Sequence, residues 1–171
     1  CDGKTLVIDG GTAENGAKMV EYLQNTLHVS KVDFVIGTHP LLGIAVGFGV
    51  TALLQSSSAS LGILQTLAMN GIVTWNSAVY IALGQNIGTC VSALIAGAGA
   101  GRNGRCAALI HLLFNTIGAA VFAIGAAVVF TLFPWIGAAP LNSVELALFH
   151  TFFNVAATAL LFVLAAAGLV L

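Results

Sequence analysis

This sequence contains very few charged residues. Only 6% of its residues are Asp, Glu, Lys or Arg, against roughly 25% in an ordinary soluble domain. The shortage is uneven, because eight of the eleven charged residues lie before residue 34. A net charge of -1 without a basic stripe gives no support for nucleic-acid binding. Residues 41–171 therefore have the composition of an integral membrane region, and residues 1–39 that of a different kind of segment.

Cysteine is also scarce, and it forms no pattern. Cys1, Cys90 and Cys106 show no metal-binding or disulfide spacing, so we interpret them as small membrane hydrophobes. Inside the apolar core, the sequence places no acid or base apart from two histidines, which gives covalent catalysis or proton relay little to work with. We therefore predict no catalytic residue, no metal site and no enzyme activity. The start without Met or a leader sequence, and the end inside an apolar run, predict a fragment.

The first 39 residues predict a short β-α-β unit. An apolar run over residues 4–9 ends in Asp-Gly-Gly, which is typical of a strand followed by a turn. Apolar residues at helical spacing indicate a helix over residues 13–28. Residues 32–37 form a second apolar run, for which parallel pairing across the helix is the usual arrangement. Such a unit cannot bury both faces of its sheet alone, so we expect it to be incomplete.

Four uncharged polar residues, Gln55, Ser56, Ser57 and Ser58, separate two strongly apolar segments. Residues 41–54 and 59–69 are each too short to cross a bilayer, which takes about 20 residues of helix. Two half-helices would make a re-entrant hairpin with its polar tip near the middle of the membrane. The alternative is a single span broken in the middle. Unsatisfied polar groups in hydrocarbon cost several kcal/mol each, so the tip predicts a place where an ion is held.

Three further spans follow, and the first is predicted to be interrupted. Residues 78–96 contain a second polar, glycine-rich break at residues 84–89. Residues 106–133 form a long span, and the last span runs to residue 171 from a capping-box start. That start pairs Asn142 with Glu145. A Gly-rich turn over residues 97–104 carries Arg102 and is followed by Arg105, and these two charges favour a cytoplasmic position for the turn.

The two polar breaks offer neutral groups that suit an ion. Half-helix N-termini direct N–H groups and a positive dipole end towards an anion. Ser hydroxyls and a Gln amide can donate to phosphate oxygens or offer oxygens to Na⁺, and Asn86 and Thr89 carry the same chemistry. The alternatives are that the serines are packing contacts between helices, that residues 84–89 form a glycine kink for close packing, and that Thr51 bonds back to its own helix.

One short pattern occurs twice. His111 to Asn115 and His150 to Asn154 both read H-x-x-F-N near the start of successive spans. Residues i and i+4 share a helix face, so each His and Asn should point the same way. Both packing and lining of a substrate region fit this pattern, and the histidines are interpreted as hydrogen-bonding groups inside the bundle.

These segments together resemble the type II sodium/phosphate cotransporter family over residues 40–171. The resemblance rests on T-A-L-L-Q-S-S-S-A at residues 51–59, G-Q-N-I-G-T at 84–89, the arginine-bearing turn with A-A-L-I-H-L-L-F-N, and H-T-F-F-N, in this order. It implies Na⁺-coupled symport of inorganic phosphate across the plasma membrane, with Na⁺ as coupling ion and no cofactor. It further implies an all-α polytopic fold of inverted repeats, each with a Q-S-S-S hairpin and a broken helix.

The resemblance also implies a binding site. Phosphate and Na⁺ would bind at Gln55, Ser56, Ser57, Ser58, Asn86 and Thr89, with Thr51, Gln85, Asn115 and Asn154 as candidate pore-lining residues. The partners would be phosphate, Na⁺ and the lipid bilayer. Only one Q-S-S-S copy is present, so a second repeat would be needed for a complete site.

The opening residues resemble a different family, the metallo-β-lactamase superfamily, through D-G-K-T-L-V-I-D-G-G and V-D-F-V-I-G-T-H-P. That family continues into a T-H-x-H-x-D-H motif, which supplies ligands to a two-metal hydrolytic site. Here His39 is present, but Leu41, Gly43 and Ile44 fill the other ligand positions. We interpret residues 1–39 and 40–171 as a chimeric join, with an assembly artefact favoured over a natural fusion. A metal-dependent hydrolase and a non-transporting membrane subunit are the alternative functions.

Overall fold

The computed structural model describes residues 6–8, 34–36 and 39–168. Within these residues the chain forms two short strands and then six helices. They are β1 (Leu6–Ile8), β2 (Phe34–Ile36), α1 (Pro40–Leu54), α2 (Ser57–Met69), α3 (Trp75–Ala98), α4 (Arg102–Leu132), α5 (Pro134–Ala138) and α6 (Ser143–Ala166). Three of the helices, α3, α4 and α6, are long and apolar enough to cross a membrane. The helical architecture predicted for this region is therefore confirmed, and three of its helices have the length and composition of membrane spans.

The two strands pair in parallel, with Leu6 opposite Phe34 and Ile8 opposite Ile36. Each lies inside one of the segments that the sequence predicted as a strand. The helix predicted between them, over residues 13–28, lies outside the described residues. The β-α-β unit as a whole therefore stays a prediction.

Helices α1 and α2 form a hairpin. Their 15 and 13 residues make them about 22 and 20 Å long, both shorter than a hydrocarbon core of about 30 Å. Gln55 adopts a left-handed conformation (φ 50°) and Ser56 is extended, so the helical path stops there. Thr51 Oγ1 donates to Ser60 Oγ over 2.7 Å, whereas nine residues of continuous helix would separate them by about 13 Å. The chain therefore reverses direction at Gln55; that the hairpin enters the membrane from one side stays a prediction.

The break predicted at residues 84–89 is wrong, because α3 runs without interruption from Trp75 to Ala98. The broken helix expected for a transporter repeat is thus not present here. Two polar side chains in this stretch fit within the continuous helix because they bond to its own carbonyl groups. Asn86 Nδ2 donates to Ala82 O over 2.9 Å, and Thr89 Oγ1 donates to Gln85 O over 2.9 Å.

The glycines of this stretch serve close packing between α3 and α1. A Cβ at Gly84 would overlap the carbonyl oxygen of Ile44, and a Cβ at Gly88 would lie 2.6 Å from the carbonyl oxygen of Phe48. On α1, Gly43 and Gly47 occupy the facing positions, and a Cβ at Gly47 would overlap the carbonyl oxygen of Ile81. Pairs of glycines four residues apart let two helix backbones approach closely in a membrane. The alternative for this stretch was a glycine kink for close packing, and the structure contains the close packing within an uninterrupted helix.

Helix α3 is the centre of the bundle. Two apolar clusters pack against it, one shared mainly with α2 and the start of α6, the other with α4 and the middle of α6. The first contains Leu64, Ala68, Val73, Ala78, Ile81, Ala82, Leu141 and Leu146, and the second Val79, Tyr80, Leu83, Ala119, Phe153 and Ala157. Helices α4 and α6 instead expose many apolar side chains, such as Ile124 (67% exposed) and Phe162 (74%), as expected for surfaces that face lipid.

The predicted capping box at the start of α6 is confirmed. Asn142 N donates to Glu145 Oε2 over 3.0 Å, and Glu145 N donates to Asn142 Oδ1 over 2.8 Å. This reciprocal pair satisfies two N–H groups that a helix start leaves without acceptors. The segment between α4 and α6 contains the short helix α5, and the residue after it, Ala139, accepts a hydrogen bond from Trp75 N at the start of α3.

Candidate functional site

The hairpin tip presents polar groups that its own fold uses only in part. Gln55, Ser57 and Ser58 are exposed and Ser56 is half-buried. Ser56 is the N-cap of α2, and its Oγ accepts a hydrogen bond from Ala59 N over 3.3 Å. The N–H groups of Ser57 and Ser58 are in the first turn and have no acceptor within the helix. The tip therefore combines the free hydroxyl of Ser57, free N–H groups and the positive end of a helix dipole.

A buried polar cluster lies one helical turn behind the tip, where α1, α2 and α3 meet. Thr51 and Ser60 are both 0% exposed and joined by their 2.7 Å hydrogen bond. Gln85 is 4% exposed, and its Nε2 donates to Ser60 O over 3.0 Å. Among the described residues, Gln85 Oε1 is the buried side-chain atom left without a hydrogen-bond partner. Thr51 thus bonds across to α2 rather than back to its own helix, so that alternative is wrong.

Ser60 is the residue of this cluster that the sequence reasoning missed. It follows the serine triplet inside an apolar run, so its neighbours gave no reason to select it. The available signal was its spacing, because Ser56 and Ser60 are four residues apart and share one face of α2.

A second group of polar side chains lies on another face of α3. Successive residues of a helix point about 100° apart, so Gln85 faces the hairpin while Asn86 and Cys90 are turned towards α4. Cys90 Sγ donates to His111 O over 3.5 Å, and Asn115 Nδ2 donates to the same oxygen over 3.0 Å. Asn115 is only 4% exposed. A layer of neutral polar groups therefore crosses α3 near its middle, from the hairpin to α4.

The predicted site residues do not all lie together in one cluster of the structure. From the stretch 84–89, Gln85 makes the hydrogen bond to the hairpin, whereas the bonds of Asn86 and Thr89 go to carbonyl groups of α3. The roles assigned to Asn86 and Thr89 in binding phosphate and Na⁺ stay predictions.

The two H-x-x-F-N patterns adopt the same local structure. Asn115 Nδ2 donates to His111 O, and Asn154 Nδ2 donates to His150 O over 2.8 Å. Asn154 is half-buried, and its Nδ2 also lies 3.5 Å from His150 Nε2. The same residue lines a shallow cleft on α6. Its hydrogen bonds stay within α6, so the structure joins Asn115 but not Asn154 to the polar layer of α3.

The residues at the positions of the metal motif lie at the start of α1. His39 is exposed and is the N-cap of α1, and Leu41, Gly43 and Ile44 belong to the first turns of that helix. Across the part of the chain that the structure describes, His, Cys, Asp and Glu side chains form no group of three or more that could hold a metal ion.

Three candidate spans packed with a short helix hairpin are the architecture of a polytopic helical membrane protein. Residues 18–170 match the Na⁺/Pi-cotransporter family, and the chain belongs to that family. This confirms the resemblance to sodium/phosphate cotransporters. The match begins at residue 18, inside the segment that resembles the metallo-β-lactamases, and the division at residue 39 stays a prediction.

Individual relatives match shorter stretches. The chain is 36% identical over 78 residues to the uncharacterized protein YqeW of Bacillus subtilis (strain 168), which is 46% of this chain and 25% of that protein. It is 42% identical over 60 residues to sodium-dependent phosphate transport protein 2A of Rattus norvegicus, 35% of this chain and 9% of that protein. It is 40% identical over 57 residues to protein 2B of Homo sapiens, 33% of this chain and 8% of that protein. The matches thus take in a quarter or less of these relatives, and no solved structure matches the chain.

Proposed function

We propose that this chain is part of a plasma-membrane symporter that couples the movement of inorganic phosphate to that of Na⁺. The observation that carries the proposal is the hairpin tip, where Ser57 and Ser58 stand exposed at the N-terminus of α2 in a strongly apolar chain. Membership of the Na⁺/Pi-cotransporter family supports the same substrate pair.

The chemistry of the tip suits a phosphate oxygen. Hydroxyl groups of Ser57 and Ser58, their free N–H groups and the Gln55 amide are all hydrogen-bond donors. The helix dipole adds a partial positive charge at the same end. No charged residue lies between residues 34 and 101, so neutral groups do the binding. Neutral donors keep the affinity moderate, which allows release on the other side of the membrane.

The proposed site needs a second half. One Q-S-S-S hairpin surrounds an ion on one side only, so a second repeat would supply the facing groups. Asn86 and Thr89 are proposed to contribute from α3, and Asn115 and Asn154 to line the path of the ions. In the alternative of a non-transporting subunit, these serines would be packed against another helix.

The test is phosphate uptake by the complete gene product that contains this chain. The protein is reconstituted in liposomes, and uptake of radiolabelled phosphate is measured with an inward Na⁺ gradient and with an equal K⁺ gradient. We expect uptake well above that of protein-free liposomes only with the Na⁺ gradient. Equal uptake under both gradients would contradict coupling to Na⁺, and no uptake above the protein-free level would contradict phosphate transport.

A further inference from the structure

Two arginines at one end of the bundle have no negatively charged partner among the described residues. Arg102 and Arg105 lie in the first turn of α4, and both are exposed. Residues three apart on a helix are neighbours, so the two guanidinium groups can reach one ligand. In residues 39–168 the single carboxylate side chain belongs to Glu145, and its Oε2 accepts a hydrogen bond from Asn142 N in the capping box.

The directions of the helices place Glu145 at the opposite end of the bundle from the arginines. Helix α4 leads away from Arg102 for 31 residues, and α6 starts beyond its far end. The start of α3 lies at that far end too, because Trp75 N donates to Ala139 O just before α6. The carboxylate of Glu145 is therefore too distant to pair with either arginine.

Helix α1 also starts at the far end. It runs in the same direction as α3, because Gly43 packs against Tyr80 and Phe48 packs against Gly88. The acidic residues other than Glu145 all precede α1 in the sequence, so the chain that carries them joins α1 at the end away from the arginines. Within the described residues, the end of the bundle at the α3–α4 turn carries positive charge alone.

An exposed apolar surface of α4 continues from these arginines. Leu109, Leu113 and Ile124 follow Arg102 after seven, eleven and 22 residues, which are close to whole numbers of 3.6-residue turns. These spacings place the three side chains on the same side of the helix as Arg102, and all three are exposed. Two cations followed by a row of hydrocarbon side chains complement a molecule with an anionic head and an apolar tail.

We propose that this side of α4, formed by Arg102, Arg105, Leu109, Leu113 and Ile124 and called here the lipid face, binds an anionic phospholipid. The guanidinium groups hold its phosphate through paired N–H donors, a geometry that suits phosphate oxygens. Long arginine side chains can extend along the helix to reach the headgroups, and one acyl chain lies along the apolar side chains. A zwitterionic lipid carries its own cation beside the phosphate, so a headgroup with net negative charge is preferred.

The test measures lipid binding to the purified full chain in a non-ionic detergent, without transport. Thermal unfolding is followed while phosphatidylglycerol is added, and in parallel while phosphatidylcholine with the same acyl chains is added. A lipid that binds the folded state stabilises it in a saturable way, which gives a half-saturating concentration. We expect phosphatidylglycerol to stabilise the wild type more than phosphatidylcholine does. Its half-saturating concentration should rise about fivefold in each of Arg102→Gln and Arg105→Gln, on the order of 1 kcal/mol for each arginine.

Two control variants separate lipid recognition from other effects. Asn103→Ala removes an exposed polar side chain from the same turn and keeps both charges, so its lipid dependence should equal that of the wild type. A double substitution of Arg102→Lys and Arg105→Lys keeps the charges and loses the planar donors, so it should bind more weakly than the wild type and more tightly than the double glutamine variant. Both arginines are exposed, so these substitutions leave the packed interior unchanged.

Inorganic phosphate, added in the same way, supplies the headgroup chemistry without an acyl chain. Stabilisation by inorganic phosphate that is lost in the glutamine variants would overturn the lipid as the ligand. Equal stabilisation by phosphatidylglycerol and phosphatidylcholine would also overturn the proposal, as would a phosphatidylglycerol effect that the double glutamine variant retains in full. Saturable stabilisation by phosphatidylglycerol that depends on both arginines would support the lipid face, whether or not the complete protein moves phosphate.

Discussion

The serines at the hairpin tip differ in the hydrogen bonds that their hydroxyl groups already make. Ser56 caps α2 through its hydroxyl and lies 3.3 Å from Ser58 Oγ, so these two hydroxyls have contacts within the tip. Ser57 is exposed, stands at the first position of α2, and has a hydroxyl that no side chain or backbone group of the tip engages. If phosphate binds here, Ser57 is the serine whose loss affects binding most directly with least effect on the helix.

Substituting Ser57→Ala in the complete gene product should therefore impair Na⁺-driven phosphate uptake at least tenfold in apparent affinity or rate, about 1.4 kcal/mol. The measurement is uptake at several phosphate concentrations, corrected for the amount of protein inserted. Ser92→Ala, a half-buried serine on α3, is the matched control and should transport like the wild type. Normal uptake by properly inserted Ser57→Ala would favour a packing role for the serines.

At the scale of the elements, the contact between α1 and α3 determines the position of the hairpin relative to α3. The two glycine pairs remove side chains from the crossing, and backbone atoms fill the space. Because the obstacle to a larger residue is backbone rather than a flexible side chain, a substitution there must push the helices apart. That movement would carry Thr51 away from Ser60 and Gln85.

We expect Gly84→Ala to lower the free energy of unfolding by about 1–3 kcal/mol, the usual cost of overpacking. Thermal unfolding of the purified chain in detergent measures the change. Gly49→Ala is the control on α1, because a Cβ there meets nothing within 4 Å, and adding a methyl group at a compatible helical position stabilises by about 0.4–1 kcal/mol. Equal effects of the two substitutions would mean that the glycine contact does not hold α1 against α3.

Elements that depend on a local sequence pattern were predicted correctly, whereas those that depend on the contact between α1 and α3 were not. The hairpin followed from a purely local pattern, two apolar runs of insufficient length around four polar residues. The stretch 84–89 fits either a break or a packing face, and the decision depends on Gly43 and Gly47, some forty residues earlier in the chain. Ser60 was missed for the same reason, since its role exists only once the hairpin has brought it to Thr51 and Gln85.

At the scale of the whole molecule, the length of α4 and the position of its two arginines predict how it is oriented in the bilayer. Its 31 residues make a helix of about 46 Å, longer than a hydrocarbon core of about 30 Å, so about ten residues project beyond it. The first turns contain Arg102 and Arg105, whereas the rest of the helix is uncharged. We therefore expect the projecting end to be the start of α4, and the preference of Lys and Arg for the cytoplasmic side predicts a cytoplasmic position for it.

Two cysteines allow this orientation to be measured. Cys106 is exposed at the start of α4, and Cys90 is buried in the middle of α3. In a Cys1→Ser background, a membrane-impermeant maleimide should label inside-out vesicles at Cys106 and leave right-side-out vesicles unlabelled, because only the former present the cytoplasmic face. Loss of the signal in Cys106→Ser assigns it to this residue, and Cys90 should react only after denaturation. Labelling confined to right-side-out vesicles would reverse the orientation, and labelling of Cys90 in the folded protein would mean that water reaches the polar layer of α3 directly.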